Sequence, residues 1–210
     1  CLVPQSSVEF LDTWHSSGLR GTGSTDFRIN DCRVPSAHIV GLEVDKMPDT
    51  PLFQFPNFTL LALGIAAVSM GIARAALDNF VELAQAKKRS GSSVPIAERG
   101  HTQMQIAEAE ATLRSARAFY YDSLNEAWSR AEAGQAVEVD QRRNLRLSTT
   151  HAVMASTKVV DAAYNLAGGL SVYQSSNLQR HFRDVHVASQ HIMVALSTLE
   201  TAGRLFLGLS

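Results

Sequence analysis

From Pro56 onward the sequence divides into four helix-forming stretches of nearly equal length, and this limits the fold more than any other feature. The stretches run from about Phe58 to Lys88, Ala97 to Ala133, Asp140 to Ala167 and Asn177 to Leu207. In each, apolar residues recur at three- and four-residue spacing, the period of one helical face. The first carries Leu61, Ile65, Val68, Ile72, Phe80 and Leu83; the second Ile106, Leu113, Tyr120 and Leu124. The third carries Leu145, Ala152, Val159, Ala163 and Leu166; the fourth Phe182, Val185, Ile192, Leu196, Leu199 and Phe206. A helix of about 30 residues is roughly 45 Å long. Breakers separate the stretches at Ser90–Pro95, Gly134 and Gly168-Gly169. Four such helices with short links predict an antiparallel four-helix bundle over 57–210, and the paired alanines at 66–67, 75–76 and 162–163 allow close packing.

The segment before Pro56 has a different character. Residues 1–42 are rich in Gly, Ser, Thr and β-branched side chains, with short alternating pieces at 7–11 and 26–34 around the turn-rich Gly18–Thr25. They read as the end of a β domain, and the prolines at 48, 51 and 56 make 43–56 an irregular connector. The chain begins with Cys and opens directly into a strand-like pattern, so sequence is expected before Cys1.

A net charge of −1 provides no field for nucleic acid. The most apolar run, Phe58–Ile72, is shorter than the roughly 20 residues of a membrane span. The two cysteines, Cys1 and Cys32, have no partner at metal-ligand spacing, so neither a metal nor a disulfide framework is expected, and the setting is read as cytoplasmic.

Chemistry-bearing residues cluster between Asn165 and His191. Gly168 and Gly169 end a helical pattern, which suits either a helix cap or a close backbone approach. Arg180, Arg183, Asp184, His181, His186 and His191 follow. On a helical wheel the three histidines point apart, which excludes one metal site; His191 lies among alanines, with room for a ligand. Lys87-Lys88-Arg89 suits a helix C-terminus, or a phosphate held by charge-assisted hydrogen bonds. Glu110 and Arg117 on an apolar stripe call for polar partners on a neighbouring helix.

Taken together, Gly18-Leu-Arg-Gly-Thr-Gly-Ser-Thr-Asp-Phe-Arg-Ile-Asn-Asp-Cys-Arg-Val-Pro35, the helical bundle, Ala167-Gly-Gly169 and Leu178-Gln-Arg-His-Phe-Arg-Asp184 resemble the acyl-CoA dehydrogenase superfamily. The resemblance covers essentially the whole chain and implies the end of that family's middle β domain followed by its C-terminal four-helix bundle. Dehydrogenases of the family place a glutamate about eight residues after the Arg-Asp pair; here that position is Ile192, which cannot act as a base.

The stretch from Leu178 to His191 is instead similar to the flavin-dependent two-component aromatic monooxygenases of the same fold. That likeness implies reduced FMN or FAD from a separate flavin reductase, O₂, an aromatic or phenolic substrate, and a homotetramer built as a dimer of dimers. It implies His191 as the residue that deprotonates a phenol or hydrogen-bonds the reacting oxygen. It assigns flavin contacts across a subunit boundary to Asn165, Gly168 and Gly169, a phosphate contact to Lys87 and Arg89, and the flavin or substrate pocket to Trp14, Arg20, Thr22 and His186. An acyl-CoA dehydrogenase homologue using FAD and a non-catalytic oligomerisation fragment are the alternatives.

Overall fold

Pro56 starts the helical part by accepting and not donating. Its carbonyl takes the first helical hydrogen bonds, from the Thr59 and Leu60 amides, both at 3.0 Å. This is seen in a computed structural model that describes residues 1–41, 48, 50–88 and 91–209. The expected connector is therefore described only at 48 and 50–56, where a one-turn helix, α1, spans Pro51–Gln54. Arg89 lies outside the described residues.

The long elements are α2 (Asn57–Ala86), α3 (Gly100–Glu132) and α4 (Val139–Ala167), followed by α5 (Asn177–Ser189) and α6 (Ser197–Phe206). Helix α4 is the axis of the bundle and packs against α2, α3, α5 and α6. The six residues between α3 and α4 force these packed neighbours to run antiparallel. Small side chains set the closest approach: Ala62, Ala66, Ser69, Ala73 and Ala76 on α2 meet a neighbour whose buried face holds Ala152, Ser156, Val159, Val160 and Ala163. The buried hydroxyls donate back along their own helices, Ser69 to the Ile65 carbonyl at 2.9 Å and Ser156 to that of Ala152 at 2.7 Å, so this polar content costs little.

Three expectations are corrected. The expected α2 stripe is only in part the buried face: Phe80 is buried and Ile65, Ile72 and Leu83 pack against the core, but Leu61 and Val68 are 58% and 53% exposed, and the face is completed by Ala62, Ala66, Ala73, Ala76 and Leu77. A helix apolar on several sides gives no unique period, and the side that packs on α4 is the one whose small residues permit contact. For the same reason Thr59–Ala86 is long and apolar enough to cross a membrane by length and composition, although its alanine face is packed in the bundle.

The fourth stretch is not one helix. It stops at Ser189, makes a 3₁₀ turn over Ile192–Val194 and restarts at Ser197. Ile192, Leu196 and Phe206 are consequently exposed. The strands are also shorter than their patterns: β1 (Glu9–Phe10) pairs antiparallel with β2 (Phe27–Arg28), Glu9 opposite Arg28 and Phe10 opposite Phe27.

Glu110 reaches across to Arg74 on α2 at 2.6 Å, and Arg117 lies over the Tyr121 ring at 5.0 Å. Burial alone would lower the Arg74 pKa, but hydrogen bonds and charge attraction from Glu110 and Asp78 outweigh it and raise the pKa.

Candidate functional site

The loop between β1 and β2 is pinned to α5 by a close backbone approach at Gly18 and by hydrogen bonds from both sides. Gly18 is buried against α5, and a Cβ there would collide with the Arg183 carbonyl group. Leu19 adopts a left-handed conformation (φ 49°), which is strained for a residue with a side chain. Its amide donates to Asp184 Oδ1 at 2.7 Å. Its carbonyl accepts from Trp14 Nε1 at 3.2 Å and from the Thr22 hydroxyl at 2.9 Å. Arg183 adds a bond from Nη1 to the Ser17 carbonyl at 2.6 Å. The strain is thus held by partners on both sides of the junction.

This junction borders an open cavity of about 460 Å³, at whose edge His191 is exposed. The β segment contributes Trp14, Thr22 and Ser24; α2 contributes Gly64, Ile65 and Val68; the end of α5 contributes Val187, Ala188, Gln190 and His191. No Asp or Glu lines it among the described residues. The wall formed by Ile65 and Val68 explains why α2 keeps an apolar side that the bundle does not bury.

His191 owes its place to the break after α5. Its Nδ1 accepts the Met193 amide at 3.2 Å and so caps the 3₁₀ turn, while its backbone amide donates to Ala188 at 3.2 Å. An accepting Nδ1 puts the proton of the neutral ring on Nε2, the nitrogen left for a ligand.

Of the other residues singled out from the sequence, Trp14 and Thr22 share this cavity with His191. Arg20 lies next to it, in a recess of about 350 Å³ that shares Leu19 and Thr22 with the cavity. His186 is elsewhere: its Nδ1 donates to the Phe182 carbonyl at 2.7 Å, and its ring stacks on Phe182, 4.3 Å between centroids. Its Nε2 lies 3.5 Å from Asp161, whose pKa is raised by burial and lowered in part by His186. Lys87 faces a third recess, of about 430 Å³, with Asn79, Tyr173 and Asn177. Asn165, Gly168 and Gly169 are exposed at the end of α4 and line none of these spaces; Gly168 has φ 57°.

Gly18, Ser24 and Gln190 were not singled out. The run Gly18-Leu-Arg-Gly-Thr-Gly-Ser24 was the available signal for the first two, and the residue beside His191 for the third. His181, on the buried side of α5, bonds Asn79 Oδ1 of α2 through Nε2 at 3.0 Å. Burial and then the charge of Arg180 lower its pKa, against Asp184. It is a structural histidine.

A larger cavity of about 560 Å³, between α1, α2 and α3, is lined by Phe55, Leu60, Leu63, Tyr120 and Trp128 among others. The Tyr120 hydroxyl is already spent on the Leu63 carbonyl at 3.1 Å. Tyr120 is the titratable side chain among its lining residues, so the smaller cavity, which holds His191, is the candidate site. No group of three His, Cys, Asp or Glu side chains placed to hold a metal occurs among the described residues.

Comparison with known proteins places this geometry in context. Residues 63–196 match the family model for the acyl-CoA dehydrogenase C-terminal domain. The chain is 36% identical over 207 residues to an indole-3-acetate monooxygenase of Pseudomonas putida, covering 99% of the chain and 53% of the relative. It is 26% identical over 204 residues to the oxygenase component of a p-hydroxyphenylacetate 3-hydroxylase of Acinetobacter baumannii, covering 90% and 47%. The chain thus spans about half the length of these relatives. Its fold superposes with a TM-score of 0.90, at 24% identity, on XiaF from Streptomyces sp. in complex with FADH2 and glycerol, over 99% of the chain and 55% of XiaF.

Proposed function

Because this chain belongs to the acyl-CoA dehydrogenase family, matched in its C-terminal domain, we propose that it serves as the C-terminal half of a flavin-dependent monooxygenase that hydroxylates an aromatic acid or phenol. The observation that carries this reading is a cavity that holds His191 and no carboxylate. Removing an α-proton from an acyl thioester needs a base, and the position at which dehydrogenases of the family keep theirs is Ile192, 74% exposed.

The residues suit a flat, partly polar ring system. Trp14, Ile65 and Val68 supply apolar surface, and the Thr22 and Ser24 hydroxyls, Gln190 and His191 supply polar groups at the rim. When bound, reduced FMN or FAD would supply the electrons with which O₂ is activated. The chain's own part is to hold the aromatic ring, exclude water and place one proton. With Nδ1 committed to Met193, His191 acts as a hydrogen-bond donor from Nε2. Service as a base would protonate Nδ1 and break the cap, so donation to a reacting oxygen fits the geometry better than deprotonation of a phenol.

Asn165, Gly168 and Gly169 are assigned to the flavin of a neighbouring subunit in a homotetramer, and Lys87 to a flavin phosphate. Their exposure, and their separation from the His191 cavity, support a contact made by a second copy. A separate reductase is the partner, in keeping with a relative described as an oxygenase component.

The test is to mix the full-length protein with reduced flavin, O₂ and an arylacetate or phenol. Hydroxylated product is expected. Anaerobic reduction of bound flavin by an acyl-CoA, without hydroxylation in air, would overturn the reading in favour of a dehydrogenase.

A further inference from the structure

We propose that the recess beside the His191 cavity is an oxyanion subsite, built to take a carboxylate or phosphate carried by a ligand of the neighbouring cavity. The proposal rests on the functional reading above and adds to it a recognition element for the charged end of the substrate or flavin.

The recess holds three guanidinium groups, Arg20, Arg180 and Arg183, and one carboxylate, Asp184. Asp184 Oδ1 accepts the Leu19 amide at 2.7 Å, and the three guanidinium charges exceed its single negative charge. Arg183 is committed, donating to Gln179 Oε1 at 2.9 Å and to the Ser17 carbonyl at 2.6 Å. Arg20 and Arg180 are different: neither guanidinium group has a hydrogen-bond or ion-pair partner among the described residues.

Their placement goes against local electrostatics. Arg180 is the fourth residue of α5, where the positive end of the helix dipole disfavours a cation. Its charge also bears on the adjacent His181, whose pKa is lowered first by burial and then by Arg180. Arg20 comes from the loop that Leu19 and Gly18 pin onto the same helix, so two unpaired guanidinium groups are held at one spot by a rigid junction. Two such groups beside a cavity suit bidentate recognition of a planar carboxylate or of a phosphate. The recess and the cavity share Leu19 and Thr22, so one ligand can place its ring beside His191 and its anionic group among the arginines.

The test is equilibrium binding to the full-length protein, which needs no turnover. Wild type, the double variant Arg20→Gln/Arg180→Gln and the remote control Lys158→Gln are each titrated with two matched pairs: 4-hydroxyphenylacetate with 4-methylphenol, and FMN with riboflavin. Both side chains are exposed and bond to none of the described residues, so the double variant should keep the wild-type melting curve. A loss of about 10-fold or more for 4-hydroxyphenylacetate with 4-methylphenol unchanged assigns the subsite to the substrate carboxylate. The same loss for FMN with riboflavin unchanged assigns it to the flavin phosphate. The proposal is overturned if the double variant binds all four within twofold of wild type, or if wild type prefers neither charged member of its pair. Absence of hydroxylation by wild type would count against the monooxygenase reading alone and leave these comparisons intact.

Discussion

The Leu19 amide donates to Asp184 Oδ1 at 2.7 Å, joining a strained left-handed residue of the β segment to the helix that leads to His191. A hydrogen bond to a charged acceptor contributes about 1.5 to 3 kcal/mol, less where water reaches it, as it does at this partly buried site. Asp184→Ala is expected to cost about 1 to 2 kcal/mol in urea unfolding and to weaken binding of the aromatic ligand by loosening the cavity wall. Unchanged values in both measurements would show that the junction does not shape the site.

Gly18 and Gly21 sit three residues apart in the same loop and should respond differently. A Cβ at Gly18 meets the Arg183 backbone, which cannot give way, whereas one at Gly21 meets nothing within 4 Å. Gly18→Ala is expected to lower stability by about 1 to 3 kcal/mol, the usual range for overpacking, and Gly21→Ala by far less. Equal midpoints of denaturation would contradict the docking geometry.

The bundle was largely legible in the sequence and the site only in part, for reasons visible at particular residues. Leu145, Ala152, Val159, Ala163 and Leu166 are all buried, because α4 is surrounded and its period reports a real asymmetry. The α2 stripe is right at Phe80 and wrong at Leu61 and Val68, because that helix is apolar on both its bundle face and its cavity face, as the buried Leu63 and the exposed Val68 illustrate. No Gly or Pro marks the break after Ser189; the turn there is capped by the His191 side chain, a role its residue type does not announce. The link from Leu19 to Asp184 spans 165 positions and leaves no periodic trace.

His181 should make stability depend on pH. Its native pKa lies below the ordinary value of 6.5 because of burial first and Arg180 second, with Asp184 opposing. As pH falls through about 6.5 the unfolded chain takes up a proton that the folded chain does not, so stability declines from there down to the native pKa. Asp161, whose pKa burial raises, works in the opposite sense at lower pH. Melting temperatures recorded between pH 7.5 and 5 should fall less steeply in His181→Gln than in wild type. Parallel curves would remove His181 from the account.

Leu145 is fully buried on the axial helix, and Leu145→Ala is expected to cost about 2 to 5 kcal/mol. The Arg74–Glu110 pair is roughly 40% exposed on each side, so a double-mutant cycle should return only about 0.2 to 1 kcal/mol. A coupling larger than the Leu145→Ala loss would mean that charge and not packing holds the bundle.

The most direct measurement is the mass of the product formed by the full-length protein from reduced flavin, an aromatic acid and ¹⁸O₂. The account predicts one labelled oxygen in the ring hydroxyl, with yield per O₂ falling steeply in His191→Ala because Nε2 no longer donates. Unlabelled product, or labelled product at wild-type yield in the variant, would contradict it.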